Sequence, residues 1–301
     1  MQITKLDDAI KEASKRPKKR IVVAYGQDEH SIEAVSRAVD LGIVEATLVA
    51  DETKIGQVCQ KLNIDKSKFK IVDVKQEVPA GEKAVELIRS GKGEIVMKGV
   101  ISSDNYLRAI LNKQKGLLPP KGVLSHIGVV EAAAYHKLIL FSDGAVIPEP
   151  DFLQKVKIAN YLVSFAQDLG VELPKLAVIA HTEKADPKRE VCIQGALLSK
   201  MADRGQIKNC IIDGPLALDV AIDSESALIK GVKSEVAGDA DCLLFPEIVS
   251  ANVFYKTTTK LAKAQLAGVV VGTMVPSVLA SRGDSTQTKL QSIALASLMK
   301  S

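Results

Sequence analysis

With 301 residues, 47% of them hydrophobic and 25% charged, the chain has the balance of a water-soluble globular protein, long enough for one large domain or two ordinary ones. A net charge of +4, made of 40 basic and 36 acidic residues that alternate along the chain, leaves no dedicated face for nucleic acid, and 4% aromatic residues with no tryptophan leave little to stack on bases. The four cysteines, Cys59, Cys192, Cys210 and Cys242, form no CxxC pair and sit among apolar residues, which predicts buried thiols in a reducing compartment, the cytoplasm.

The opening "MQITKLDDAIKEASK" predicts an amphipathic helix, not a signal peptide, and the basic cluster Arg16 to Arg20 a solvated turn ahead of a strand. Four β-branched runs follow: "IVVAY" (21–25), "EATLVA" (45–50), "KIVDV" (70–74) and "EIVMKG" (94–99). Helical stretches separate them. "SIEAVSRAVDLG" places Ile32, Val35 and Val39 on one face and stops at Gly42, and "AGEKAVELIRSGKG" turns Val85 and Ile88 inward. Strand, helix, strand at this spacing predicts parallel α/β structure.

The alternation breaks at Pro119-Pro120. Residues 122–132 and 137–144 then predict two strands of an antiparallel hairpin, and "PEPDF" (148–152) opens a long helix to Leu169. A second α/β series comprises strands at 175–180, 207–215, 240–246 and 267–272, with helices near 190–203 and 252–264. The longest apolar run, Leu266 to Ala280, is interrupted by Gly268, Gly272 and Pro276 and falls short of the ~20 residues a membrane span needs. No internal repeat or low-complexity linker divides the chain. Two α/β lobes sharing a cleft are expected.

No GxGxxG joins a strand to a helix and no GxxxxGK[ST] is present, so neither a dinucleotide fingerprint nor a P-loop supports a nucleotide cofactor. The histidines His30, His126, His136 and His181 have no i, i+4 spacing, and no carboxylates sit at a metal-ligand interval; no metal site is expected. Three segments carry more. In "MKGVISSDNYLRAIL" (97–111) a strand ends at Gly99, Ser102, Ser103 and Asp104 offer helix caps, and Arg108 falls in the second turn. Free N–H groups at a helix start bind anions and an arginine fork matches phosphate oxygens, although a plain cap with a surface arginine fits the same letters. In "DGPLALDVAI" (213–222) the Gly-Pro predicts a turn at the carboxyl end of a strand, where α/β proteins gather ligands.

The third segment is "MVPSVLASRGDSTQTKL" (274–290). Leu290, Ile293, Ala294 and Leu298 define the apolar face of a helix whose N-cap is Asp284 or Ser285, and Asp284 with Gln287 resembles a capping box. Gly283 permits close backbone approach, and Arg282 can point toward whatever sits at the positive end of that helix.

These segments, with "VAGDADCLLFPEIVSANVFYK" (236–256) and "PSVLASRGDSTQTKLQSIALA" (276–296), resemble the phosphate acetyl/butyryltransferase family, in family order and over most of the chain from residue 97 onward. The wording of the last two is closer to the butyryl branch. The resemblance implies two α/β domains of the isocitrate/isopropylmalate dehydrogenase-like type with a cleft between them, residues 1–128 plus 276–301 forming the first and 129–275 the second. It also implies a homodimer or a multiple of dimers, with the C-terminal helix returning to the first domain. The implied reaction is acyl-CoA plus phosphate in equilibrium with acyl phosphate plus CoA, butyryl being the acyl group, by direct thiolate attack. CoA is then a substrate, and no metal or other cofactor is needed.

On this resemblance Ser281 steadies the thiolate, Arg282 meets the developing charge, and Arg108 binds phosphate, with Ser102, Ser103, Gly283 and Thr288 lining the substrate. One departure matters. The acetyl branch carries a catalytic aspartate seven residues after the serine, where this chain has Thr288. Asp284, the nearest carboxylate, admits two roles, base or helix cap. The alternatives to a butyryltransferase are a phosphate acetyltransferase and, more remotely, a metal- and NAD-dependent dehydrogenase on a related fold.

Overall fold

The computed structural model describes residues 2–279 and 283–300. The chain forms two compact units, the first made of Leu6–Leu124 with Ala267–Ser301 and the second of Met1–Lys5 with Ser125–Leu266.

The first unit begins with α1 (Leu6–Ala13), whose buried Leu6, Ala9 and Ala13 lie three and four residues apart on one face. Then come β1 (Lys19–Ala24), α2 (Glu29–Asp40), β2 (Val44–Ala50), α3 (Glu52–Leu62), β3 (Phe69–Asp73), α4 (Glu77–Arg89), β4 (Ile95–Lys98) and α5 (Ser103–Ile110). Ile21 to Ala24 are all buried, the unbroken apolar run of a parallel strand covered on both faces. Aspartates start two of the helices between strands: Asp28 accepts from Ser31 N at the head of α2, and Asp51 from Thr53 N and Lys54 N at the head of α3. Val85 and Ile88 are buried as expected, whereas Val39 is half-buried because Ala38 takes the core side of α2.

The second unit contains β5 (Ser125–Glu131), β6 (Ile139–Ser142), α6 (Phe152–Asp168), β7 (Lys175–Ile179), α7 (Glu190–Asp203), β8 (Ile211–Leu216), α8 (Leu218–Ile222), α9 (Ser224–Ile229), β9 (Cys242–Leu244) and α10 (Ile248–Lys260). Its strands run β5-β6-β9-β7-β8. The β5–β6 hairpin is antiparallel with Gly128 opposite Phe141, and a side chain at Gly128 would run into that ring. The other pairs are parallel. Phe141, Phe245 and Phe254 make the aromatic centre of its core, with ring centroids 5.3 Å apart for Phe141–Phe254 and 5.2 Å for Phe245–Phe254.

The chain then returns through β10 (Gln265–Val271), β11 (Ser277–Val278) and α11 (Thr286–Leu298). In the first unit the strand order is β3-β2-β1-β4-β11-β10, with parallel pairing from β3 through β11 and β10 antiparallel to β11. The helix α11 packs on α1 and α2.

Three local expectations are corrected. Gly214-Pro215 is not a turn after a strand but part of β8, a position open to proline because β8 ends its strand order and one side of it pairs with no further strand of the unit. The α7 helix crosses there closely, since a Cβ on Gly195 would lie 2.9 Å from Pro215 N. The helix expected near 252–264 spans 248–260 because Glu247 caps it, accepting from Val249 N and Ser250 N. Cys210 is half-buried, unlike the other three cysteines, though burial still pushes its thiol up to about 11.

Candidate active site

Three neighbouring parallel strands of the first unit, β1, β4 and β11, each lead into a helix: α2, α5 and α11. Ala24 sits beside Lys98, and Val278 beside Met97, so the chain leaves the three strands side by side on one edge of the sheet. That carboxyl edge is where ligands bind in open α/β sheets. The exits are tightly packed. A Cβ on Gly99 would come 2.4 Å from Tyr25 O and 2.7 Å from Gly26 Cα, so only glycine fits, and Tyr25 itself takes a left-handed φ of 56°.

Tyr106, fully buried, seats α5 on the strands: its hydroxyl donates to Val96 O and lies 2.9 Å from Ser277 Oγ. Burial raises the phenol's pKa and keeps the proton in place. At the head of α5 Ser102 is the cap, its Oγ accepting from Asn105 N at 3.2 Å. The free N–H groups expected there are partly taken. Glu77, the first residue of α4, accepts from Ser102 N at 2.7 Å and from Asn105 Nδ2 at 3.0 Å, so a carboxylate of the protein itself faces that positive end. Ser103 is the exposed first residue of the helix. Arg108 is exposed in its last turn.

At the third exit, Ser281 and Arg282 lie outside the described residues. Gly283 is exposed, with open space where a side chain would be. The cap of α11 is Ser285, whose Oγ accepts from Thr288 N at 3.1 Å and also lies 3.1 Å from Thr288 Oγ1. The capping box of Asp284 with Gln287 therefore does not form. Because the helix starts one residue later, Gln287 sits a place too early to close the box; its amide instead accepts from Arg37 and donates to Asp7. Asp284 stands just outside the helix and is half-buried.

Four charged residues at this edge were not singled out from the sequence: Glu77, Asp28, Lys98 and Lys289. Lys98 ends β4 at 2% exposure, with Nζ donating to Gly99 O at 3.3 Å. Lys289, in α11, is also 2% exposed; burial pulls its pKa down, and the charges of Asp28 and Asp284 oppose that. The signal available was a lysine interrupting an apolar run, "IVMK" and "KLQSIALA". Among the described residues no group of three or more His, Cys, Asp and Glu side chains is placed to hold a metal ion, and no helix is long and apolar enough to cross a membrane. Carboxylate, hydroxyls, a helix start and cations thus meet one edge of one sheet, a set suited to transferring a group that carries negative charge.

The comparisons agree with that chemistry. The model of the phosphate acetyl/butaryl transferase family matches residues 5–86 and 78–297, and the chain belongs to this family. A phosphate butyryltransferase of Clostridium acetobutylicum is 42% identical over 99% of this chain and 98% of its own length. A phosphate acetyltransferase of Thermotoga maritima is 38% identical, over 93% of this chain and 95% of its own. Among solved structures, a branched-chain phosphotransacylase from Enterococcus faecalis superposes with a TM-score of 0.80 at 27% identity, covering 93% of this chain and 99% of that one.

Proposed function

We propose that this protein reversibly transfers a short acyl group, butyryl in preference to acetyl, between CoA and phosphate at the carboxyl edge of its first unit. Family membership over nearly the whole chain is the observation that carries this, and the 42% identity to a butyryltransferase against 38% to an acetyltransferase supports the acyl preference.

In the direction of acyl-CoA formation, the CoA thiol gives up its proton as its sulfur attacks the acyl carbonyl. The carbonyl oxygen takes negative charge, the C–O bond to phosphate then breaks, and phosphate leaves. A thiol of pKa ~8.5, judged from cysteine, is mostly protonated at neutral pH and needs an acceptor. Asp284 fills that role as the nearest carboxylate of the motif, Ser285 being the residue that caps the helix. Arg282 stabilises the charge on the carbonyl oxygen, Ser281 steadies the thiolate, and Arg108 holds the phosphate. Ser102, Ser103, Gly283 and Thr288 border the substrate. CoA is a substrate here, and the reaction calls on no metal or nicotinamide. The family resemblance implies dehydrogenase-like α/β domains and a homodimer, and the unpaired cysteines point to the cytoplasm.

Phosphate-dependent release of CoA from butyryl-CoA, followed with a thiol reagent, tests the proposal. Turnover is expected to survive exhaustive chelation without added nicotinamide. No release with any short acyl-CoA, or a loss in chelator restored by a divalent ion, overturns it.

A further inference from the structure

Tyr25, the first residue past β1, holds a backbone conformation that its residue type avoids. Its φ of 56° lies in the left-handed region, where a side chain crowds the neighbouring carbonyl. The other non-glycine residues there, among the described ones, are Asn63, Lys121, Asn209 and Lys263. Tyr25 is the aromatic of the set and the one that directly follows a strand. Strain of this kind persists only where the surroundings enforce it. Here they do so at both ends of the residue. Tyr25 N donates to Val49 O of β2 at 2.8 Å, while Tyr25 O accepts from Gln27 N at 3.2 Å and from Val100 N at 3.1 Å.

The last of these bonds reaches the exit of the neighbouring strand. β4 ends at Lys98, and Gly99 N donates to Ala24 O at 2.9 Å before Val100 N meets Tyr25 O. The approach is so close that a Cβ on Gly99 would come 2.4 Å from Tyr25 O. Ile101 is fully buried, and a Cβ on Gly81 of α4 would lie 2.8 Å from its Cδ1. Ser102 follows at once and caps α5, the helix that carries Ser103 and Arg108. Residues 99–101 are thus clasped by the β1 exit and by α4, and the Tyr25 carbonyl helps to set where α5 begins. The ring takes no part in this clasp: its hydroxyl makes an exposed 3.3 Å bond to Lys75 O, past the end of β3.

We infer that Tyr25 is a positioning residue for phosphate: its left-handed backbone aims the carbonyl at Val100 N and so sets α5, with Ser102 and Arg108, against the phosphate. The inference rests on the reading of α5 as the helix that holds phosphate.

Tyr25→Gly and Tyr25→Val test it, assayed by phosphate-dependent CoA release from butyryl-CoA below the melting temperature of both. Both changes delete the ring and its hydroxyl. Glycine accepts a left-handed φ whereas β-branched valine resists it, so the two variants differ in the clasp. KM for phosphate is expected to be at least about tenfold higher in Tyr25→Val than in Tyr25→Gly, the scale of one lost charge-assisted hydrogen bond, with KM for butyryl-CoA nearly the same in the two. Equal phosphate KM values overturn the inference, as does a parallel rise in both KM values, which a loosened fold alone would give. Arg108→Gln tests the underlying reading by itself. An unchanged phosphate KM in Arg108→Gln overturns that reading and the inference together; a raised one, with no difference between the Tyr25 variants, overturns the inference alone. If Tyr25→Val fails to fold, Tyr25→Ala, which resists the left-handed region less, takes its place in the comparison.

Discussion

Two charge clusters set lysines against aspartates, one in each unit, and they end differently. At the amino edge of the second unit's parallel strands, Lys137 meets Asp239 at 2.9 Å and Asp241 at 2.7 Å, and Lys175 meets Asp239 at 2.6 Å. His136 Nε2 adds a contact to Asp239, and Lys175 N donates to Asp241 Oδ2 at 2.8 Å. That cluster closes on itself. At the carboxyl edge of the first unit, Asp28 Oδ2 is buried with no hydrogen-bond partner among the described residues, and Asp284 stands outside the helix that Ser285 caps. A closed cluster stabilises the fold; a buried carboxylate oxygen left without a hydrogen bond, like Asp28 Oδ2, marks the edge proposed for the chemistry.

The largest expected effect falls on Arg282. Arg282→Lys keeps the charge but loses the planar fork, and kcat is expected to fall about 10²-fold or more, as for removal of one preorganised donor, with the melting temperature unchanged. A change of only a few-fold in steady-state turnover would make Arg282 a turn residue. Next comes acyl choice: at about 0.8 kcal/mol per buried methylene, the two extra carbons of butyryl-CoA give roughly tenfold higher kcat/KM than acetyl-CoA. Equal or better efficiency with acetyl-CoA would move the protein to the acetyl branch without changing the reaction.

The smallest effect belongs to the closed cluster. Burial pushes the Asp239 carboxyl up, but Lys175, Lys137 and His136 outweigh that and hold it well below the usual carboxylate range. Its stabilisation is therefore complete above the unfolded pKa of ~3.9 and is lost as pH falls from there toward the folded value. Urea midpoints measured from pH 5 downward are expected to decline less steeply in Asp239→Asn than in the wild type. Identical slopes would remove Asp239 from the acid response.

Much of the first unit was legible because its strands are β-branched runs and its helices carry apolar residues at helical spacing, as at Val85 and Ile88, both buried. The face Leu290, Ile293, Ala294 and Leu298 was legible for the same reason, and all four residues are buried. Lys289, Gln291 and Ser292 are buried with them because α1 and α2 enclose α11 from further directions, a tertiary fact that helical periodicity does not carry. Glu77 at the head of α5 is 25 residues from Ser102, beyond any local pattern. The cap of α11 was narrowed to two adjacent residues, and the choice of Ser285 over Asp284 required the path of the backbone.

One substitution made in both clusters tests the account most directly. Asp284→Asn and Asp241→Asn are the same chemical change, read by kcat and by melting temperature. Asp241 is 3% exposed and engaged by two lysines, so its change is expected to cost about 3 kcal/mol and lower the melting temperature by about 5 °C or more, with kcat retained while the protein is folded. Asp284→Asn is expected to lose about 10²-fold or more in kcat and to lower the melting temperature less than Asp241→Asn does, since Asp284 is half-buried and Ser285 does the capping. A nearly fully active Asp284→Asn, or an Asp241→Asn that loses turnover without losing stability, would contradict the account.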